Sequence, residues 1–142
     1  MRCTNKSMGN SFESSFCDLL SEYGFWSHNM AANASGQPAD VIAAKDGNAY
    51  LIDCKVCANG KFPFSRVEEN QDLAMGLWED CGNGQGWFAL LVDEFIYMIP
   101  HSIIKEFQKT QAGFNRDEIL SIGLPFVVWA TYNHSIESEG EK

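Results

Sequence analysis

The chain has 142 residues, 45% of them hydrophobic and 20% charged, a balance that suits one domain folded around a single core. It never reaches the roughly 18 consecutive apolar residues of a membrane-spanning helix, and its first eight residues hold no apolar run that could serve as a signal peptide. A net charge of −9 counts against a general nucleic-acid binder, which carries a basic surface.

Residues 1–8 read as a loose arm. From Asn10 the apolar side chains of Phe12, Phe16, Leu19, Leu20 and Tyr23 recur at helical spacing. Asn10 with Glu13 three residues later has the form of a capping box. Glu13 therefore has two readings, a capping side chain or a carboxylate directed at a site. Gly24 ends the helix, Phe25 to Met30 reads as an edge strand, and residues 31–37 form a small, polar, flexible connection.

Gln37 to Val56 holds two β-rich runs around Asp46-Gly47, a strong hairpin signal. An even-numbered loop sets Lys45 opposite Asn48, and so Asp40 opposite Asp53; an odd one breaks that match. Directly opposed residues share a face, with Cβ atoms about 4.5–5.5 Å apart. Lys55, two residues beyond Asp53, projects from that face too. Facing carboxylates repel each other and stabilise a sheet poorly. They make chemical sense around a divalent cation, since hard oxygen ligands suit magnesium or manganese. The other reading leaves both aspartates facing solvent, with Lys55 offsetting their charge.

After the hairpin, Cys57 to Ser65 is a loop carrying Lys61, with Arg66 just beyond. Ser65 with Glu68 forms a second capping-box pattern, opening a helix that runs to about Asp80. Val67, Gln71, Ala74 and Trp78 share one stripe of it, and Gln71 breaks an otherwise apolar face. It is either a satisfied buried amide or a group awaiting a water, a metal-bound species or a phosphate. A glycine-rich turn over 81–86 leads to a buried strand, Trp87 to Val92, and its hairpin partner, Phe95 to Ile99. Ser102 to Gln108 and Arg116 to Ser121 read as short helices, and Leu124 to Tyr132 as a closing apolar strand. The domain ends near 134; residues 135–142, with Glu137, Glu139 and Glu141, read as a disordered acidic tail. The order α-β-β-β-α-β-β predicts an α/β fold, a mixed sheet flanked by helices.

Five scattered cysteines fit reduced thiols in a cytosol better than a disulfide framework. Cys54-x-x-Cys57 is a lone pair with no convincing further ligands for zinc among His28, His101 and His134. There is no nucleophile elbow, and the 82–86 glycines lack the lysine of a phosphate-binding loop. Trp26, Phe62 and Phe64 are candidates for stacking on bases or filling a dimer interface.

Pro38-Ala39-Asp40 followed at a distance by Asp53-Cys54-Lys55 resembles the PD-(D/E)XK nuclease signature. With Asn10-Ser11-Phe12-Glu13 before it, Gln71 after it and Tyr97-Met98-Ile99-Pro100 later, the chain resembles RecU-type Holliday junction resolvases from about Gly9 to about Ala130. The resemblance implies a restriction-endonuclease-like core and a magnesium-dependent endonuclease, with manganese as a substitute, in DNA recombination and repair. It implies metal ligation by Asp40, Asp53 and Glu13, a catalytic Lys55 and a positioning Gln71. Its substrate would be branched DNA, a four-way junction, cut by a homodimer in the cytoplasm of a bacterium or phage-infected host, with no membrane partner. Lys61 and Arg66 are the candidates for gripping the phosphate backbone. Metal ions held by the carboxylates would restore positive charge to an acidic protein. The stalk that such proteins insert into the junction is much reduced here, at 31–37. Two other readings stay open: a restriction- or repair-type nuclease on the same core, and a non-catalytic DNA-binding or structural protein that keeps the fold.

Overall fold

A computed structural model describes residues 5–30 and 38–131. Residues 1–4 of the arm expected over 1–8, the connection at 31–37 and the acidic tail lie outside the described residues. Among those described, no helix is long and apolar enough to cross a membrane.

The hairpin is the frame. β2 (Val41–Lys45) and β3 (Asn48–Val56) pair antiparallel, with Lys45 opposite Asn48 and Val41 opposite Ile52. Asp46 and Gly47 make the turn at φ values of 52° and 82°, the left-handed pair that matches strand twist in a two-residue loop. β1 (Trp26–Asn29) adds to β2 at the edge, as expected. On the other side β3 pairs parallel with β5 (Trp87–Val92), and β6 (Phe95–Pro100) pairs antiparallel with β5. The six-stranded order is β1-β2-β3-β5-β6-β8, where β8 is only Leu124–Pro125. A parallel pair needs a crossover, and α2 (Glu69–Asp80) supplies it. β4 (Phe62–Pro63) and β7 (Gly113–Phe114) form a separate two-stranded sheet.

Helices cover both faces, so the central strands are apolar on both sides. Along β3, Ile52 and Cys54 enter one core with Phe16, Leu20, Val41, Met98 and Trp129, beneath α1 (Asn5–Glu22) and a helical segment over 126–131. Leu51 enters the other core with Met75, Phe88, Leu90, Ile104 and Ile119, beneath α2, α3 (His101–Phe107) and α4 (Arg116–Ile122). At the end of α1, Gly24 takes φ 86°. Its N–H donates to Ser21 O, and Phe25 N–H donates to Leu20 O at 3.0 Å. That is a Schellman close, and the buried Phe25 and Leu20 supply its apolar contact.

Four expectations are corrected. α1 begins at Asn5, so the loose arm expected over 1–8 is helical from residue 5 onward and Asn10 lies inside the helix rather than at its N-cap; no proline stands among residues 5–10 to stop it, and Gly9 alone costs only about 1 kcal/mol. Ser65 belongs to a 3-10 turn, Phe64–Arg66, and Glu68 is the cap of α2 with Gln71 as its box partner. Phe64 sets this shift by burying its ring before the helix starts. The closing strand stops at Pro125, which has no N–H for the ladder, and the chain coils into the helix that buries Trp129 and Ala130. Phe62 and Phe64 are core residues at 0% and 6% exposure, not surfaces for bases; Trp26, 63% exposed, remains available.

Candidate active site

Asp40 sits one residue before β2, where the ladder opens. Its N–H donates to Ile52 O at 3.2 Å, and its carbonyl accepts from Met30 N–H at 2.8 Å. Its Oδ2 accepts from Cys54 N–H at 2.8 Å. The carboxylate is thus tied to the strand that carries Asp53 and Lys55. Asp53 is fully buried; Gln71 Nε2 donates to its Oδ1 at 2.8 Å, and Lys55 Nζ lies 3.0 Å from its Oδ2. That ion-pair contact is not a well-aligned hydrogen bond, and Oδ2 has no donor of good geometry among the described residues.

Glu13 reaches the same place from α1. Burial first, then the charge of Asp40 and a hydrogen bond with it, push its carboxyl up to about 7, while Lys55 pulls the other way. Burial and Asp40 likewise hold Asp53 well above the usual carboxylate range against Lys55. Glu13 and Asp53 thus both resist ionising beside Asp40, the expected behaviour of carboxyls next to a like charge. With Asn10 interior to the helix, Glu13 has no capping task there and joins the acidic group. The sequence-predicted residues Glu13, Asp40, Asp53, Lys55 and Gln71 are therefore brought together.

Gln71 resolves both of its readings. Its Nε2 fixes Asp53, and its Oε1 accepts from Glu68 N–H at 3.4 Å in the capping box of α2. It contacts a carboxylate rather than Lys55. One residue on, Asp72 accepts from Lys105 at 3.1 Å and contacts His101 Nε2 at 2.6 Å, clamping α2 to α3. Burial raises the Asp72 pKa, but the bonds to His101 and Lys105 outweigh it and hold the group below its usual value. Sequence reasoning missed this clamp because its partners lie far apart in the chain and carry no local pattern.

Arg66 docks on the end of β3, its Nη1 donating to Val56 O at 2.8 Å. Lys61 is exposed in the preceding loop. The other exposed cations among the described residues, Lys105, Lys109 and Arg116, are paired with Asp72, Glu106 and Asp93; Lys61 and Arg66 have no carboxylate partner. Cys54 and Cys57 lie in different cores, on opposite faces of the sheet. Burial pushes the Cys57 thiol up to about 11 despite Arg66. The two cannot jointly hold zinc.

The donor set fits a hard divalent cation: carboxylate oxygens, one of them a buried oxygen with no aligned donor. No group of three His, Cys, Asp or Glu side chains among the described residues is gathered closely enough to cage an ion. Magnesium does not require such a cage, since it keeps several waters and takes one or two carboxylates.

No family model and no curated protein sequence matches the chain. Among solved structures it is similar to Hjc, described as a Holliday junction resolvase from the archaeal hyperthermophile Archaeoglobus fulgidus. The TM-score is 0.66 at 17% identity, over 86% of this chain and 99% of that one. The fold is the restriction-endonuclease-like one of that structure, a single domain with a mixed sheet flanked by helices.

Proposed function

We propose that the protein is a magnesium-dependent endonuclease for branched DNA, a Holliday junction resolvase, with manganese as a substitute. The observation that carries this reading is the buried Asp53 shared by Gln71 and Lys55 and crowded by Asp40, which Glu13 in turn meets from α1. Burying unlike and like charges this closely is costly for stability alone; phosphodiester hydrolysis gives it a use. Asp40 and Asp53 would hold the ion, with Glu13 as a further ligand directly or through water. When bound, the ion supplies Lewis acidity toward a phosphoryl oxygen and a more acidic water. Lys55, released from Asp53, places its ammonium where negative charge grows on the phosphate. Gln71 holds Asp53 in one orientation through Oδ1, which would leave Oδ2, the oxygen beside Lys55, to help hold the ion. Lys61 and Arg66, without acidic partners, grip the backbone and set register.

A four-way junction has near two-fold symmetry, and a homodimer delivers its two cuts economically. Phe12 and Phe25 are core residues at 5% exposure each and offer no surface to such an interface. Leu73 and Leu77, one turn apart on α2 and 59% and 64% exposed, are better interface material. The deciding experiment incubates the protein with four-way junction, linear duplex and single-stranded DNA, with and without magnesium. Junction cleavage that needs magnesium supports the reading. Equal cutting of junction and duplex moves the assignment to a restriction- or repair-type nuclease, and no cleavage at all to a non-catalytic binding protein.

A further inference from the structure

α1 leaves part of its face of the sheet uncovered. Beside it runs an apolar groove of about 570 Å³. Its floor is a row of half-buried side chains standing next to one another on three strands, Val56, Leu91 and Ile96. Leu19 of α1 forms one wall. A second hollow of about 220 Å³ shares Leu19 and Ile96 and continues to Phe95 and Val127, which are 66% and 55% exposed. The rim is acidic. Asp18 and Glu22 project from α1 and Glu94 from the β5–β6 turn, all exposed, and among the described residues no lysine or arginine lines either hollow.

We propose that this groove receives a cationic, amphipathic protein segment. Its bulky apolar side chains would rest on Val56, Leu91 and Ile96, and its lysines or arginines would meet Asp18, Glu22 and Glu94. Charge selects this occupant over the others. DNA would bring phosphates against three carboxylates. A second copy docking across a two-fold axis presents the same patch on both sides and sets the acidic rim against itself. The chain's own continuation past Thr131 carries Glu137, Glu139 and Glu141, again the wrong sign. A helix or strand with apolar anchors and basic flanks satisfies floor and rim together, the anchors giving affinity and the charges orientation and on-rate. The inference stands independently of the nuclease reading, because none of these residues touches the acidic site's hydrogen bonds.

The test is fluorescence anisotropy of the full chain with a labelled synthetic leucine–lysine peptide whose leucines fall at helical spacing. Two control peptides replace its leucines with glutamine or its lysines with glutamate. Binding at low-micromolar concentration by the leucine–lysine peptide alone is expected. Asp18→Lys with Glu22→Lys should weaken it by roughly tenfold or more, and Leu19→Gln should act in the same direction. Glu79→Lys with Asp80→Lys, at the far end of α2, should leave it within about twofold. The charge variants lie at exposed positions, and circular dichroism checks that they fold. Absent binding, equal binding of the glutamine peptide, or an equal loss in the Glu79/Asp80 variant would overturn the proposal. So would light scattering that finds a dimer dissolved by the Leu19→Gln change, since the groove would then hold a second copy.

Discussion

Replacing Asp53 by asparagine separates what the carboxylate does for chemistry from what it does to the fold. Asparagine keeps the shape and an oxygen for Gln71 Nε2, now 2.8 Å from Oδ1. Losing charge at that bond weakens it by about 1 kcal/mol. Losing the Lys55 contact at 3.0 Å removes an attraction of about 5.5 kcal/mol at an effective dielectric of 20. Against these stand the repulsion from Asp40, about 3 kcal/mol near 5 Å in the same dielectric, and a desolvation penalty of several kcal/mol for a buried ion. The sum is close to level for the metal-free protein, within about 1 kcal/mol. Because the fold raises the Asp53 pKa, its ionisation is what destabilises the native state. The native protein's advantage is present at low pH and lost as pH rises, so the gain from Asp53→Asn should grow from pH 5 to pH 8. Cleavage should fall by about 100-fold or more, equivalent to roughly 3 kcal/mol of transition-state stabilisation. Urea unfolding in chelator and a junction-cleavage assay in magnesium measure both. A variant that unfolds more easily by over about 2 kcal/mol, or that still cuts within tenfold of the native rate, would refute the reasoning.

Glu13, with its carboxyl raised to about 7, should make metal-free stability fall as pH climbs from about 4.5 through 7. After discounting for its exposure the loss is of order 1 kcal/mol; Glu13→Gln should flatten the profile seen by urea titration at several pH values. Gln71→Leu leaves the Asp53 carboxylate without its aligned donor and breaks the α2 box, so denaturation should show a loss of about 2–4 kcal/mol. Substituting both Lys61 and Arg66 by alanine should weaken junction binding and reduce the salt slope by about 2 in filter-binding titrations, while leaving metal binding unchanged.

Much of the site was legible because its frame is local. Asp46-Gly47 specifies a turn, the turn sets a register, and a period of two then puts Asp40, Asp53 and Lys55 on one face. Gln71 stood out as a polar break in an apolar stripe, but nothing in its neighbourhood says that Asp53 is its partner. Contacts such as Asp72 with His101 depend on how α2 and α3 meet, which no short window encodes. The run after Leu124 was misjudged for a different reason. A short apolar stretch serves a strand or a buried helix equally well, and there a single proline and the place awaiting Trp129 decide between them. The start of α1 shows the opposite error, a capping pattern that the continuing helix overrides.

The one parallel pairing among the described strands also orders events in time. The β2–β3 hairpin closes through a tight turn and can form early, bringing Asp40 toward Asp53 on its own. Pairing β3 with β5 joins residues as distant as Ile52 and Trp87, and closing that loop is entropically slow. Only when it closes does α2 lie across the sheet and deliver Gln71 to Asp53. A chain halted at the hairpin therefore holds two aspartates in an open, mutually repelling pair, without the glutamine that fixes one of them. The arrangement around Asp53 is therefore complete only after the longest-range pairing of the six-stranded sheet has closed.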